Sequence, residues 1–354
     1  MQKQFKGLNT LRAIAALVVV FGHIELIKSY NSIPNLIDSN SPIFPDGHTA
    51  VILFFVLSGF LISYLLLKEK QNFGKIHFKK FYLRRILRIW PLYYLTILLS
   101  YIIVEANYSV KSIILCLTIF PNVAHSFLEG WSSSPQIWSI GVEEQFYLFW
   151  PIILFYIPKK KLLTFLILFF LGYSILPHLI SYINIRTIND VENIKIIERF
   201  FFHTKFNCMA LGSIIGYFYA YNQKCIQNLI SKRTFTIITL LILVLWLGRF
   251  SLNYFNDEFF ALFFSLIIIG VTSNEKLNID SKLSIFLGKI SYGLYMYHWI
   301  IIVLTIKFLP TFENLILYNF SLYIIVILST ILISTLSFFS FENFFLKLKK
   351  KFSV

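Results

Sequence analysis

The sequence predicts an all-α integral membrane protein of about ten transmembrane helices, both termini cytoplasmic. Three observations carry that prediction. Of 354 residues, 57% are hydrophobic and only 14% charged, with a mean hydropathy of +0.71. A soluble domain carries roughly 25% charged residues, so this chain cannot cover a globule with polar surface. Apolar stretches of about 20 residues, long enough to cross a hydrocarbon core, recur along the whole chain. Lys and Arg are split unevenly between the connections: 23 of the 32 fall on one side and 8 on the other, with Arg12 inside the first stretch. Excess positive charge marks the cytoplasmic face, so the net charge of +15 reads as topology, not as a nucleic-acid partner. Cys116, Cys208 and Cys225 are scattered without metal-ligand spacing. A soluble enzyme, a disordered chain, a coiled coil and a disulfide scaffold are excluded.

The expected spans are roughly 10–29, 49–67, 89–105, 135–157, 162–182, 200–221, 234–250, 256–273, 290–308 and 320–341. This threading puts residues near Lys75 and Lys160 inside and those near Asn40 and Asn189 outside. A weaker stretch near 112–123 is too short to cross and reads as interfacial or re-entrant. The longest loops, about 30–48, 68–88 and 183–199, leave no room for a second soluble domain, so residues 1–354 form one membrane domain. No cleavable signal is expected, because the first stretch lacks a small-residue cleavage pattern and doubles as a span. No convincing internal repeat is visible, which weakens an inverted-repeat transporter reading.

Ionisable groups inside spans point to function by default. The first span, NTLRAIAALVVVFGHIEL, holds Arg12 and His23, eleven residues apart. Eleven steps of about 100° return to within roughly 20° of one helix face, about 16 Å along the axis. That suits a long anionic molecule with its head on Arg12 and its reactive end near His23; a snorkelling Arg with a structurally bonded His fits the spacing as well. In the second span, Ser58 and Gly59 of LSGF suggest a close backbone approach by a helix or a ligand. No G-x-S-x-G elbow makes Ser58 a nucleophile.

Arg84, Arg85 and Arg88 close the basic loop before the third span. Arg84 and Arg88 share a helix face at four-residue spacing, and Arg85 and Arg88 nearly do at three. Guanidinium forks suit phosphate groups, although membrane anchoring explains such a cluster too. In the fourth span, Ser134 and Pro135 read as an N-cap and first helical residue, which places Glu143 in the third turn. Ser139, Glu143, Tyr147 and Trp150 would then share a face, a plausible sugar-binding stripe or a partner for His23, with a structural ion pair as the alternative. Which of Glu143 and Glu144 faces inward is open on spacing alone. His298 falls near the middle of the ninth span, where a hydrogen-bonded structural role serves equally well. His48, His77, His125, His178 and His203 are scattered at loops and span ends, and no metal site is expected.

In order along the chain, Arg12-x10-His23 is followed by FFVLSGFLIS at 54–63, FYLRRILRIWPLYY at 81–94 and WSIGVEEQFYLFWP at 138–151. GKISYGLYMYHW at 288–299 and SFFSFENFFLKLK at 337–349 complete the set. Together these resemble the membrane-bound acyltransferase family 3, which includes O-acetyltransferases of bacterial surface polysaccharides. The resemblance implies a cytoplasmic acyl-CoA donor, most simply acetyl-CoA, and an exported or cell-surface glycan as acceptor, at the inner membrane. It implies a catalytic His23, a functional Arg-x-x-Arg pair at Arg85 and Arg88, and Glu143 as the inward carboxylate. Neutral imidazole is a suitable base for a sugar hydroxyl attacking a thioester. Arg12, Arg85, Arg88 and Arg84 are thus expected to hold the donor, His23 and Glu143 to serve the chemistry, and Ser58, Gly59, Glu144, Tyr147, Trp150 and His298 to line the acceptor site. Some family members append an extracytoplasmic hydrolase-like domain, so an extracytoplasmic partner is a further expectation. The competing class is a transporter or flippase of a glycan or lipid intermediate, which would consume no acyl-CoA.

Overall fold

A computed structural model describes residues 5–39, 41–44, 46–104, 106–187, 191–226, 229–273, 277–310 and 314–352. Asn40 and Asn189, expected outside, lie beyond the described residues. The described residues are helical, with no strand. In order the helices are α1 (Leu8–Tyr30), α2 (Gly47–Phe73), α3 (Phe78–Ile103), α4 (Val110–Leu117), α5 (Pro121–Phe127) and α6 (Trp138–Tyr156). Then come α7 (Lys159–Thr187), α8 (Val191–His203), α9 (Phe206–Tyr221), the single turn α10 (Gln223–Ile226) and α11 (Lys232–Leu247). The chain closes with α12 (Asn256–Ser273), α13 (Lys282–Lys289), α14 (Ser291–Phe308), α15 (Leu315–Ser337) and α16 (Asn343–Lys350), a π-helical turn at Phe338–Glu342 joining the last two.

The expected spans fall largely on helices, although 200–221 straddles the break at Thr204 and Lys205 between α8 and α9, and not each helix is a candidate crossing by itself. Six helical stretches are long and apolar enough to cross a membrane, and a seventh counts if α13 and α14, bent by 69°, form one span. The protein is thus a multi-pass helical membrane protein. The stretch at 112–123 forms the short helices α4 and α5, neither of spanning length.

Two expectations are corrected. The basic segment 68–88 is not a loop: α2 runs on to Phe73 and α3 begins at Phe78, because Lys, Glu, Gln and Arg are good helix formers. Only the turn around Gly74, left-handed at φ 71°, separates them. Ser134 makes no side-chain cap, and Pro135 opens a short 3₁₀ turn that passes into α6 at Trp138. Genuine caps stand elsewhere: the Asp46 carboxylate accepts from the backbone N–H groups of His48 and Thr49, and Ser281 with Ser284 forms a capping box on α13.

Helix α2 is the axis of the bundle, with 78% of its apolar window buried, against 11% for α7 and 22% for the α15–α16 stretch. The outer helices therefore turn apolar side chains to lipid. Glycines seat α9 on α2: a Cβ at Gly59 would stand 1.8 Å from the Met209 carbonyl oxygen, and one at Gly212 2.1 Å from that of Val56. Helices this close use van der Waals packing in place of a hydrophobic driving force. At the other side, α13 lies against the start of α1, where a Cβ at Gly288 would meet the Asn9 carbonyl oxygen at 2.2 Å. The Thr10 hydroxyl donates to Asp280 at 2.6 Å and the Gly7 N–H at 2.8 Å. The bend after α13 then lets α14 rise alongside α1.

Candidate functional site

Five helices enclose a cavity of about 560 Å³ in the half of the bundle that holds the start of α1. From α1 comes Arg12; from α2 come Phe55, Ser58 and Leu65; from α3, Arg85 and Arg88; from α6, Ser139, Glu143 and Tyr147; from α14, Tyr292 and Tyr295. Three guanidinium groups thus share one cavity with one carboxylate. Among the described residues no carboxylate comes within 4.0 Å of any of the three. Arg85 lies over the ring of Tyr147 at 5.3 Å and of Phe81 at 5.7 Å, and its buried Nε has no partner. Glu143 does not answer these charges directly. It accepts a hydrogen bond from the Ser58 hydroxyl at 2.8 Å and one from the Tyr147 hydroxyl at 2.9 Å, and among the described residues it makes no ion pair within 4.0 Å. Ser58 acts as a donor that fixes a carboxylate.

At its inner end the cavity reaches Tyr295, whose hydroxyl donates to the Gln136 carbonyl at 3.0 Å and pairs with Ser139 Oγ at 2.7 Å. The Tyr295 ring lies 5.8 Å from that of His298. His298 is fully buried, and its Nε2 is 2.7 Å from Nδ1 of His23, the two rings parallel within 3°. Trp299 meets the His23 ring edge-on at 5.1 Å. The eleven-residue spacing on α1 is therefore used for two stations: Arg12 in the cavity, and His23 beside α14 just past the cavity's wall of Tyr295. A cavity holding three cations and a single carboxylate suits a polyanion, and an imidazole pair past its wall suits proton transfer.

Residues 5–338 match the family described as an acyltransferase domain. The chain belongs to that acyltransferase family. A Staphylococcus aureus (strain COL) protein named "Putative O-acetyltransferase" is 29% identical over 327 residues, covering 84% of this chain and 50% of that protein. The O-acetyltransferase OatA of Staphylococcus aureus (strain NCTC 8325 / PS 47) is 24% identical over 331 residues, with the same coverage of 84% and 50%. The chain spans about half the length of the curated relatives it matches. No solved structure matches it.

The acyltransferase fold does not bring every expected residue to this cavity. Arg84 turns away, donating to Glu69 at 3.3 Å and to the Phe352 carbonyl at 2.9 Å. Glu144 projects to the other side of α6, where the Trp90 indole N–H donates to it at 2.7 Å. Trp150 is buried and donates to Ser63 at 2.7 Å, and Gly59 serves the α2–α9 contact. Sequence reasoning missed Tyr292 and Tyr295. The signal was present, since Tyr295 and His298 stand three apart in SYGLYMYHW and share a helix face.

A second cavity, about 1280 Å³, lies at the N-terminal tip of α2 and includes Asp46, His48, His178, Lys205, Asp257 and Glu258. The buried Asp257 carboxylate is 2.9 Å from Lys205 Nζ and 3.1 Å from His48 Nε2. Histidines that look scattered in sequence are therefore partly gathered here. The Trp138 ring centroid is 6.1 Å from that of Phe55, which lines the first cavity, and 6.1 Å from that of His48, which lines the second. Among the described residues no group of three His, Cys, Asp or Glu side chains could hold a metal ion.

Proposed function

We propose that the protein is a membrane O-acyltransferase that moves an acetyl group from cytoplasmic acetyl-CoA to a hydroxyl of an exported or cell-surface glycan. The observation that carries this reading is the cavity with Arg12, Arg85 and Arg88, free of any described carboxylate within ion-pair distance, whose wall at Tyr295 lies 5.8 Å, ring to ring, from His298 of the His23–His298 pair. The orphaned Arg85 Nε fits the phosphates of coenzyme A, and the strongly basic side of the threading supports a cytoplasmic entrance. The names of the relatives supply the acetyl group and the oxygen acceptor.

Arg12, Arg85 and Arg88 hold the phosphates and so set how far the thioester reaches toward His23. His23 takes the proton from the acceptor hydroxyl while that oxygen bonds to the acyl carbon. The carbon–sulfur bond breaks, the electron pair leaves with sulfur, and His23 returns the proton to give the free thiol. Glu143, fixed by Ser58 and Tyr147, keeps the cavity from being wholly cationic and offers a carboxylate to the acceptor side.

The test uses membranes from cells expressing the chain, incubated with radiolabelled acetyl-CoA and the host's surface polysaccharide. His23→Ala is expected to lower acetyl transfer by about 10²–10⁴-fold at unchanged protein level. Acetyl-CoA consumption indistinguishable between wild type and His23→Ala, or no consumption by either, would overturn the proposal and return the flippase reading.

A further inference from the structure

The hydrogen bonds around His298 have a fixed direction. His298 Nδ1 lies 3.2 Å from the carbonyl oxygen of Leu294, one turn earlier on α14. A carbonyl oxygen only accepts, so Nδ1 of His298 carries the proton and its Nε2, in the neutral ring, is bare. That bare nitrogen is 2.7 Å from His23 Nδ1, which therefore donates. In a neutral His23 the remaining nitrogen, Nε2, is then left with its lone pair. The chain Leu294 C=O, His298, His23 runs one way only and ends on a base.

The surroundings hold this arrangement. His298 has no exposed surface, so water does not compete for its nitrogens. Next to it, the Met296 carbonyl accepts from the buried Gln136 amide at 3.1 Å, which pins α14 to the turn before α6. Trp299 closes on the His23 ring edge-on.

We infer that His298 is a positioning residue that holds His23 in the tautomer with Nδ1 protonated, so that Nε2 is the atom that accepts the substrate proton. The inference rests on the reading of His23 as the base. As His23 becomes an imidazolium, its bond to His298 becomes charge-assisted and roughly twice as strong, so the contact favours the transition state over the ground state. His298 touches neither donor nor acceptor; it acts through the ring of His23.

Histidine-¹⁵N spectra of the full chain in lipid nanodiscs read the tautomer in the resting protein, without substrate. Wild type is expected to show His23 with protonated Nδ1 and bare Nε2. His298→Phe keeps the bulk but removes the acceptor, and His23 should lose this preference. His298→Gln places an amide oxygen near the lost Nε2 and should restore it. In the acetyl-CoA assay, His298→Phe should lower kcat by about 10²–10⁴-fold, the range for a misdirected base, with KM for acetyl-CoA unchanged. His298→Gln should recover part of that loss. A wild-type His23 protonated on Nε2 overturns the inference without any variant needing to fold. So does an unchanged His23 spectrum in His298→Phe, or equal kcat in the Phe and Gln variants. If wild type shows the expected tautomer but consumes no acetyl-CoA, the O-acyltransferase proposal fails while the hydrogen-bond assignment stands.

Discussion

Arg12 is the side chain on which the donor reading can be tested most directly. It shares a low-dielectric cavity with Arg85 and Arg88 and no described carboxylate at ion-pair distance, so the three like charges repel one another and an anion between them is favoured. A lysine there still attracts phosphate as a point charge but lacks the bidentate fork. Arg12→Lys should therefore raise the KM for acetyl-CoA by about tenfold or more, the worth of one charged hydrogen bond, with kcat largely kept, and Arg12→Glu should abolish activity. If Arg12→Lys leaves KM unchanged and lowers kcat as deeply as His23→Ala, Arg12 belongs to the chemistry and not to donor binding. At this scale the sequence was partly legible. The face shared by Arg12 and His23 can be read from spacing, but their separate surroundings cannot, because those come from α3 and α14. The choice between Glu143 and Glu144 was also hidden: adjacent helical residues point about 100° apart, and only tertiary packing decides which one meets Ser58 and which meets Trp90.

Between elements, the contact of α2 with α9 sets the positions of Ser58 and Phe55 in the cavity wall. Gly59, Gly212 and Gly216 allow it, the last with a Cβ position 2.8 Å from the Phe60 carbonyl oxygen. Gly212→Ala should destabilise the protein by about 1–3 kcal/mol through overpacking, seen as a lower thermal midpoint in detergent. Gly172→Ala on α7, where a Cβ meets nothing within 4 Å, should be neutral or slightly stabilising, since alanine is the better helix former. Equal midpoints for the two variants would mean that the α2–α9 seam yields without strain. The close approach at Gly59 is legible in LSGF, and its counterpart is the unremarked G-x-x-x-G of GSIIG at 212–216. The helical continuation through 68–88 was less visible, because hydropathy reports the bilayer-thick part of a helix and not the polar turns beyond it.

Over the whole molecule, the threading proposed from basic residues has its own check. Single cysteines at Lys75 and Lys160 should be shielded from a membrane-impermeant thiol reagent on intact cells, and those at Ser41 and Asn253 should be labelled. Labelling at Lys75 would put the Arg85–Arg88 end of α3 outside, where coenzyme A is absent, and would end the donor assignment. The all-helical class was plain from composition, although the span expected at 200–221 is divided between α8 and α9. What composition could not reveal is that α2 lines one cavity along its length, from Val51 to Leu65, and meets a second at its N-terminal tip, for hollows are made by how helices tilt and cross. Between Phe55 of the first and His48 of the second stands the ring of Trp138, its centroid 6.1 Å from each. If the two hollows joined across the bilayer, each elementary charge slipping through would dissipate about 2.3 kcal/mol per 100 mV of membrane potential. Between those two side chains stands the thickness of one indole ring.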